Sequence, residues 1–103
     1  MSVREGTGVK TKQKQDTKLK KPDMYKVLLL NDHYTTMEFV VHILRTVFHK
    51  QTMEATRIML DAHKKGKGVV GTYPYDIAVT KQVRVLRMAR EAEYPLECVI
   101  EKE

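Results

Sequence analysis

The sequence has one cysteine, no tryptophan and only short apolar runs among its 103 residues. A single cysteine excludes an internal disulfide framework and is typical of a reducing compartment. The longest unbroken apolar run, from Val27 to Leu30, is far too short to cross a membrane. The first fifteen residues lack the apolar segment of a secretory signal. We therefore expect a cytoplasmic protein of one domain at most.

The excess of positive charge lies at one end of the chain. The formal net charge is +6, and residues 1–22 hold seven of the basic side chains but only two of the acidic ones. This segment has too few large apolar residues to offset the entropy of ordering it. We predict a disordered basic extension over 1–22 and a folded domain over 23–103. The extension either keeps the protein in solution or engages an acidic surface or nucleic acid, although it lacks aromatic residues for base stacking.

The folded part alternates between strand-like and helix-like patterns. β-branched and aliphatic residues predict strands over 24–31, 68–73 and 96–101. Apolar residues at helical spacing predict two helices after the first strand and one after the second. Three strands cannot bury a face by themselves, so the helices must cover one side of the sheet. The predicted fold is α+β, a three-stranded antiparallel sheet covered on one face by three helices in the order β-α-α-β-α-β.

Several residues predict where these helices begin and end. Thr35 and Glu38 have the spacing of a capping box at the start of the first helix. Thr52 and Asp76 are expected to cap the second and third helices, and Gly66 to end the second. The residues expected to face the core from the third helix are Val79, Val83, Leu86 and Ala89.

The sequence carries none of the motifs that would assemble a catalytic centre. It has no glycine-rich phosphate loop, no closely spaced cysteine pair, no HExxH and no GxSxG. Cys98 lies in an alternating strand pattern and is expected to be a buried small side chain. His42 and His49 share a helical face but lack a third metal ligand nearby, which favours solvated histidines. We therefore predict that the protein is not an enzyme and holds no cofactor or metal.

One group of polar residues lies where the first predicted strand ends. Asn31, Asp32 and His33 follow the strand, and His63 shares a face of the second predicted helix with Met59. If the first two helices pack side by side, these groups can converge on a shallow pocket with a polar lip and an apolar floor, a common design of small-ligand sites. A plain turn beside a histidine at the edge of the core would give the same spacing.

Three long stretches of the sequence resemble the bacterial ClpS adaptor family: LLLNDHYTTMEFVVHIL, ATRIMLDAHKKGKGVVGTY and YPLECVIEK. The resemblance covers about 21–103. Members of that family bind proteins whose first residue is bulky and hydrophobic, and they hand these N-degron substrates to the unfoldase ClpA of the protease ClpAP. The resemblance thus implies an adaptor whose partners are the N-terminal segments of substrates and the N-terminal domain of ClpA.

The resemblance also implies which residues hold the α-amino group of a substrate. The matching positions are Asn31, His33 and His63, with Asp32 beside them. An ammonium has three donors and a positive charge, so it needs acceptors converging at about 2.8–3.0 Å. An amide oxygen and a neutral imidazole nitrogen can serve. His33 replaces the aspartate of most relatives, which leaves Asp32 to supply the local negative charge.

The first side chain of a substrate would enter an apolar pocket. By the same resemblance, its residues are Thr35, Met37, Val40, Met59, Ala62 and Leu96. Met37 stands where the family discriminates against β-branched first residues, and Ala62 replaces an expected valine. A wider floor should favour Phe, Tyr and Trp over Leu, because an aromatic ring fills space that Leu leaves empty. The resemblance places Asp76 and Lys81 at the contact with ClpA and assigns the extension to delivery.

Two other hypotheses remain at this point. A basic protein- or RNA-binding module is conceivable because a related α+β shape occurs in the ribosomal stalk protein, and fold alone does not fix function. Such a module has no need of Asn31 and His63 beside an apolar pocket, so we expect neither nucleic acid nor a membrane as partner. The weaker hypothesis is metal binding by Asp32, His33 and His63.

Overall fold

The structure, a computed structural model, describes residues 21–103, so the predicted extension over 1–22 lies almost wholly outside the described residues. Its elements are β1 (Met24–Leu30), α1 (Met37–Thr46), α2 (Thr52–Lys65), β2 (Lys67–Pro74), α3 (Tyr75–Glu91) and β3 (Glu97–Lys102). Their order is β-α-α-β-α-β, which confirms the predicted fold. None of the described helices has the length and apolar character needed to cross a membrane.

The sheet is built around β1. The strand order is β2-β1-β3, and both neighbours run antiparallel to β1. Because side chains alternate along a strand, Val27 and Leu29 face the helices while Leu28 faces the other way. A bulge shifts the register of β2 at this point, so that Val27 pairs with Gly71 and Leu28 pairs with Val69. The carboxyl end of β1 therefore leads out of the centre of the sheet into the loop over 31–36.

The core lies between the sheet and the three helices. Several of its side chains have no solvent exposure: Val27, Leu29, Ile43, Leu44, Ala55, Ile58, Ala78, Val85 and Ala89. Full burial of a large aliphatic side chain contributes about 1.5–3 kcal/mol. The packing of these residues fixes α1 and α2 against β1. The loop over 31–36 begins at the end of that strand.

Gly68 allows α2 to lie directly on β2. A Cβ atom at this position would lie 2.7 Å from the carbonyl oxygen of Ile58 and 3.3 Å from the Cβ of Ala62. Only a glycine permits so close an approach of helix to strand. The approach holds the Met59 to Ala62 turn of α2 near the end of β1.

The predicted core face of α3 is partly wrong. Val83 is 48% exposed, whereas Ala78 and Val85 are fully buried together with Ala89. The buried side also includes Gln82, whose Nε2 donates to the carbonyl oxygen of Cys98 at 2.8 Å. The small side chains of Ala78 and Ala89 let α3 lie close to the sheet. The hydrogen-bonded Gln82 faces the sheet in place of the predicted Val83.

The cap of α1 lies one residue later than predicted. Thr36, not Thr35, is the N-cap, and its Oγ1 accepts a hydrogen bond from the backbone N–H of Phe39 at 3.1 Å. The Oγ1 of Thr35 instead donates to the carboxylate of Asp32 at 2.8 Å. Thr35 is thus part of the loop, and the predicted capping box with Glu38 does not form.

The predicted caps of the other two helices are also displaced. Thr52 is the first residue of α2 rather than its cap, which is Gln51. Asp76 lies in the first turn of α3, since Pro74 in an extended conformation precedes the helix. The prediction for the end of α2 is confirmed, because Gly66 holds a left-handed φ of 90° there.

Candidate functional site

A cavity of about 570 Å³ lies at the end of β1. It is enclosed by the loop over 31–36, the start of α1, the last turns of α2 and one residue preceding β3. Every residue predicted for amino-group binding or for the apolar pocket lines it: Asn31, Asp32, His33, Thr35, Met37, Val40, Met59, Ala62, His63 and Leu96. The structure thus brings all these residues to one place.

Tyr34, Thr36 and Glu38 also line the cavity, although the sequence patterns did not predict them there. Tyr34 is 76% exposed at the mouth, which is unusual for an aromatic side chain. Because these three residues alternate along the chain with predicted site residues, their place in the sequence could have indicated that they line the cavity.

A backbone hydrogen bond ties the two polar sides of the cavity together. The N–H of Asn31 donates to the carbonyl oxygen of Gly66 at 2.9 Å, and the N–H of Gly66 donates to the carbonyl oxygen of Ala62 at 2.9 Å. His63 lies in the last turn of α2, immediately before this left-handed cap. The side chains of Asn31 and His63 are both exposed at the lip of the cavity. Their proximity therefore depends on how α2 ends.

Asp32 organises the loop. Its Oδ1 accepts hydrogen bonds from the backbone N–H groups of Tyr34 at 2.8 Å and Thr35 at 2.7 Å, and its Oδ2 accepts one from Thr35 Oγ1 at 2.8 Å. Partial burial raises the pKa of the Asp32 carboxyl, but the hydrogen bonds from Thr35 and Tyr34 and the nearby His33 outweigh burial and lower the pKa below its usual value. The carboxylate is thus ionised and shapes the loop.

The electrostatics of the cavity suit a cation. Within residues 21–103, its lining includes the carboxylates of Asp32 and Glu38 but no lysine or arginine. An opposite charge and converging acceptors favour an ammonium group, whereas a phosphate would meet carboxylates. The lip is therefore built for a positively charged ligand.

The floor of the cavity is apolar. Val40, Met59, Ala62 and Leu96 are all at most 9% exposed. Met37 is 45% exposed and stands at the edge. Because thioether side chains are flexible, Met37 can adapt to what enters the cavity.

The residues predicted for the ClpA contact lie outside this cavity. Asp76 is exposed in the first turn of α3. Lys81 is half-buried, and its Nζ donates to the carbonyl oxygen of Val47 at 3.0 Å, over the rings of Phe48 and Tyr73 at 5.6 and 5.4 Å from their centroids. The ammonium of Lys81 therefore helps to hold α3 against the end of α1.

The described residues offer little support for a metal site or a reactive thiol. No three His, Cys, Asp or Glu side chains within 21–103 are placed to hold a metal ion together, including those at Asp32, His33 and His63. Burial, with a smaller effect from Glu97, raises the pKa of the Cys98 thiol to about 12, so the thiolate is scarcely populated at neutral pH.

Comparisons with known proteins give one consistent result. The family model for "ATP-dependent Clp protease adaptor protein ClpS" matches residues 20–99. The ClpS adapter of Acetivibrio thermocellus is 62% identical over 92 residues, which span 89% of this chain and 93% of the relative. The ClpS adapter of Rhodospirillum centenum is 54% identical over 97 residues, which span 94% of this chain and 88% of the relative. A solved structure of Agrobacterium tumefaciens ClpS2 bound to L-phenylalaninamide has a TM-score of 0.79 at 41% identity, covering 81% of this chain and all of that one.

Proposed function

The chain belongs to the ClpS family of ATP-dependent Clp protease adaptor proteins, and on that premise we propose that it recognises N-degrons. As an adaptor, it is not an enzyme. It binds proteins whose first residue is Phe, Tyr or Trp, and more weakly Leu, and delivers them to the unfoldase ClpA for degradation by ClpAP. The observation that carries the proposal is the convergence of Asn31 and His63 at the mouth of a cavity with an apolar floor.

The amino group of the substrate is held at the lip. The side-chain oxygen of Asn31 and a ring nitrogen of His63 accept its hydrogen bonds, and His33, which lines the same cavity, is the third acceptor. Asp32 contributes in another way, because both of its carboxylate oxygens already accept hydrogen bonds from the loop. It positions its neighbours and supplies negative potential.

The first side chain enters the floor between α1 and α2. Burying a phenylalanine side chain contributes about 2–3 kcal/mol, which is enough to select a bulky apolar first residue. Ala62 makes the floor deeper than a larger residue would, which favours aromatic rings over Leu. The bound L-phenylalaninamide of the Agrobacterium protein has the two features that the site requires, a free amino group and an aromatic side chain.

Delivery uses a different surface. Asp76 is exposed at the start of α3 and contacts the N-terminal domain of ClpA, while Lys81 keeps that part of α3 against α1 through Val47. The basic extension over 1–22 acts in delivery rather than in binding.

Fluorescence anisotropy with a labelled peptide that begins with Phe tests the proposal. We expect binding that is lost when the amino group is acetylated, and that weakens at least tenfold in Asn31→Ala and His63→Ala. The control Arg87→Ala, at an exposed position of α3, should bind as the wild type does. Equal binding of the free and acetylated peptides would overturn the proposal, and tight, salt-sensitive RNA binding without peptide binding would favour the nucleic-acid hypothesis.

A further inference from the structure

A second concave surface lies beside the cavity, on the outer side of α1. We call it the basic groove: it has a volume of about 560 Å³ and is lined by His42, Arg45, His49 and Lys50, with Glu38 at one end. Within residues 21–103, neither Arg45 nor Lys50 forms an ion pair with an acidic side chain. The groove therefore presents positive charge in a concave surface, with Glu54 nearby, whose carboxyl pKa is lowered mainly by Arg57 and to a smaller extent by Lys50.

These basic side chains are not needed to complete the end of α1. The carbonyl oxygen of Leu44 accepts the backbone N–H of Lys50 at 3.0 Å, and that of Val47 accepts Lys81 Nζ at 3.0 Å. The carbonyl oxygens of Leu44 and Val47 are thus satisfied by a backbone N–H and by Lys81, without the basic side chains of the groove.

His49 adds a second observation. Its backbone has a φ of 57°, in the left-handed region that favours glycine. For a residue with a side chain this conformation carries a cost, and it fixes the direction in which the side chain leaves the backbone. Here the imidazole of His49 lines the basic groove.

The basic groove is continuous with the cavity. A small apolar depression lies between them, lined by Met37, Glu38, Val41 and Met59. It shares Met37, Glu38 and Met59 with the cavity, and Glu38 and Val41 with the basic groove. A substrate peptide that leaves the cavity past Glu38 would therefore run along α1 into the basic groove.

We propose that the basic groove binds acidic side chains downstream of the substrate's first residue, an inference that rests on the proposed function. The rise from Glu38 to Arg45 along the helix is about 10 Å, and an extended peptide advances about 3.3 Å per residue. A first residue seated in the cavity then brings roughly positions 4 to 7 over His42, Arg45 and Lys50. The adaptor prefers N-degron substrates that carry Glu or Asp in that window.

Three labelled peptides test this preference. They share Phe-Ser-Gly at the start and carry glutamates, glutamines or lysines at about positions 4–6. Because exposed charge contacts are individually weak, we expect the glutamate peptide to bind roughly three- to tenfold more tightly than the glutamine peptide, and the lysine peptide more weakly than both. Arg45→Glu with Lys50→Glu should remove or reverse this order while binding the glutamine peptide as the wild type does.

A matched control separates local contact from net charge. Arg84→Glu with Arg87→Glu makes the same change of charge on exposed positions of α3 and should keep the glutamate preference. Equal affinities for the glutamate and glutamine peptides would overturn the inference, as would loss of the preference in both double variants. Failure of the wild type to bind the glutamine peptide would instead overturn the proposed function.

Discussion

The identity of residue 62 should set how strongly the adaptor prefers aromatic first residues over leucine. In Ala62→Val, two methyl groups are added on the floor of the cavity. There is little room for them toward β2, because α2 approaches that strand so closely that a Cβ atom built at Gly68 would lie 3.3 Å from the Cβ of Ala62. A valine in a helix also has one strongly preferred rotamer. The added methyl groups therefore project into the cavity.

The size of the effect follows from the surface that these groups bury. A buried methylene contributes about 0.8 kcal/mol, and a leucine side chain, which leaves the wider floor partly empty, gains most of that contact. A phenylalanine ring already fills the floor, so the added methyl groups give it no new contact or press against it. We expect the ratio of the Leu-peptide to the Phe-peptide dissociation constant to fall by roughly three- to tenfold, which corresponds to about 0.7–1.4 kcal/mol.

Competition anisotropy with peptides that differ only in the first residue measures this ratio. Ala62→Gly is the opposite control, since a deeper floor should leave the aromatic preference intact or raise it. Thermal unfolding of each variant separates a changed floor from a weakened helix, because Val and Gly both lower helix propensity. An unchanged ratio in Ala62→Val, or one that moves in favour of Phe, would refute the reasoning that the floor selects by volume.

Three further outcomes are expected. His33→Asp should strengthen binding of Phe and Leu peptides roughly threefold or more in calorimetry, because a carboxylate attracts an ammonium; weaker binding of both would show a positive role for the imidazole. Asp32→Asn should lower the free energy of unfolding by about 1 kcal/mol at neutral pH in urea titrations. Because the pKa of Asp32 is lowered in the folded protein, this stabilisation is present above the unfolded-state pKa of about 3.9 and is lost as the pH falls through the folded-state pKa. The stabilities of the wild type and Asp32→Asn should therefore converge in acid. A difference that stays constant with pH would argue against a stabilising role of the ionised Asp32 carboxylate. Gly68→Ala should destabilise the protein by about 2 kcal/mol or more in thermal unfolding, since its Cβ would press on the carbonyl oxygen of Ile58; an unchanged melting temperature would show that α2 can withdraw.

The order of the elements could be predicted because each has a strong local pattern. The apolar stretch of β1 and the glycine that ends α2 are both where the sequence indicates them. The cap of α1 could not be predicted, since Thr35 and Thr36 are both favourable N-cap residues and the capping-box spacing to Glu38 favours Thr35. What decides between them is the carboxylate of Asp32, which engages Thr35 in the loop.

The face of α3 and the place of Lys81 required tertiary information. Small alanines carry little weight in a pattern of apolar residues, yet Ala78 and Ala89 set how closely α3 approaches the sheet. Lys81 reaches the carbonyl oxygen of Val47 across 34 positions of sequence, which no local rule anticipates. The convergence of the cavity residues could be predicted only by combining the expected packing of α1 against α2 with the family resemblance. In the structure these residues line one cavity.

The main-chain hydrogen bond from Asn31 to Gly66 has an evolutionary consequence. The bond joins main-chain atoms, so a change of side chain on the floor of the cavity leaves it in place as long as Gly66 keeps its left-handed conformation. Under the proposed function, single replacements on the floor can then change which first residues are accepted while the backbone contact at the lip stays the same.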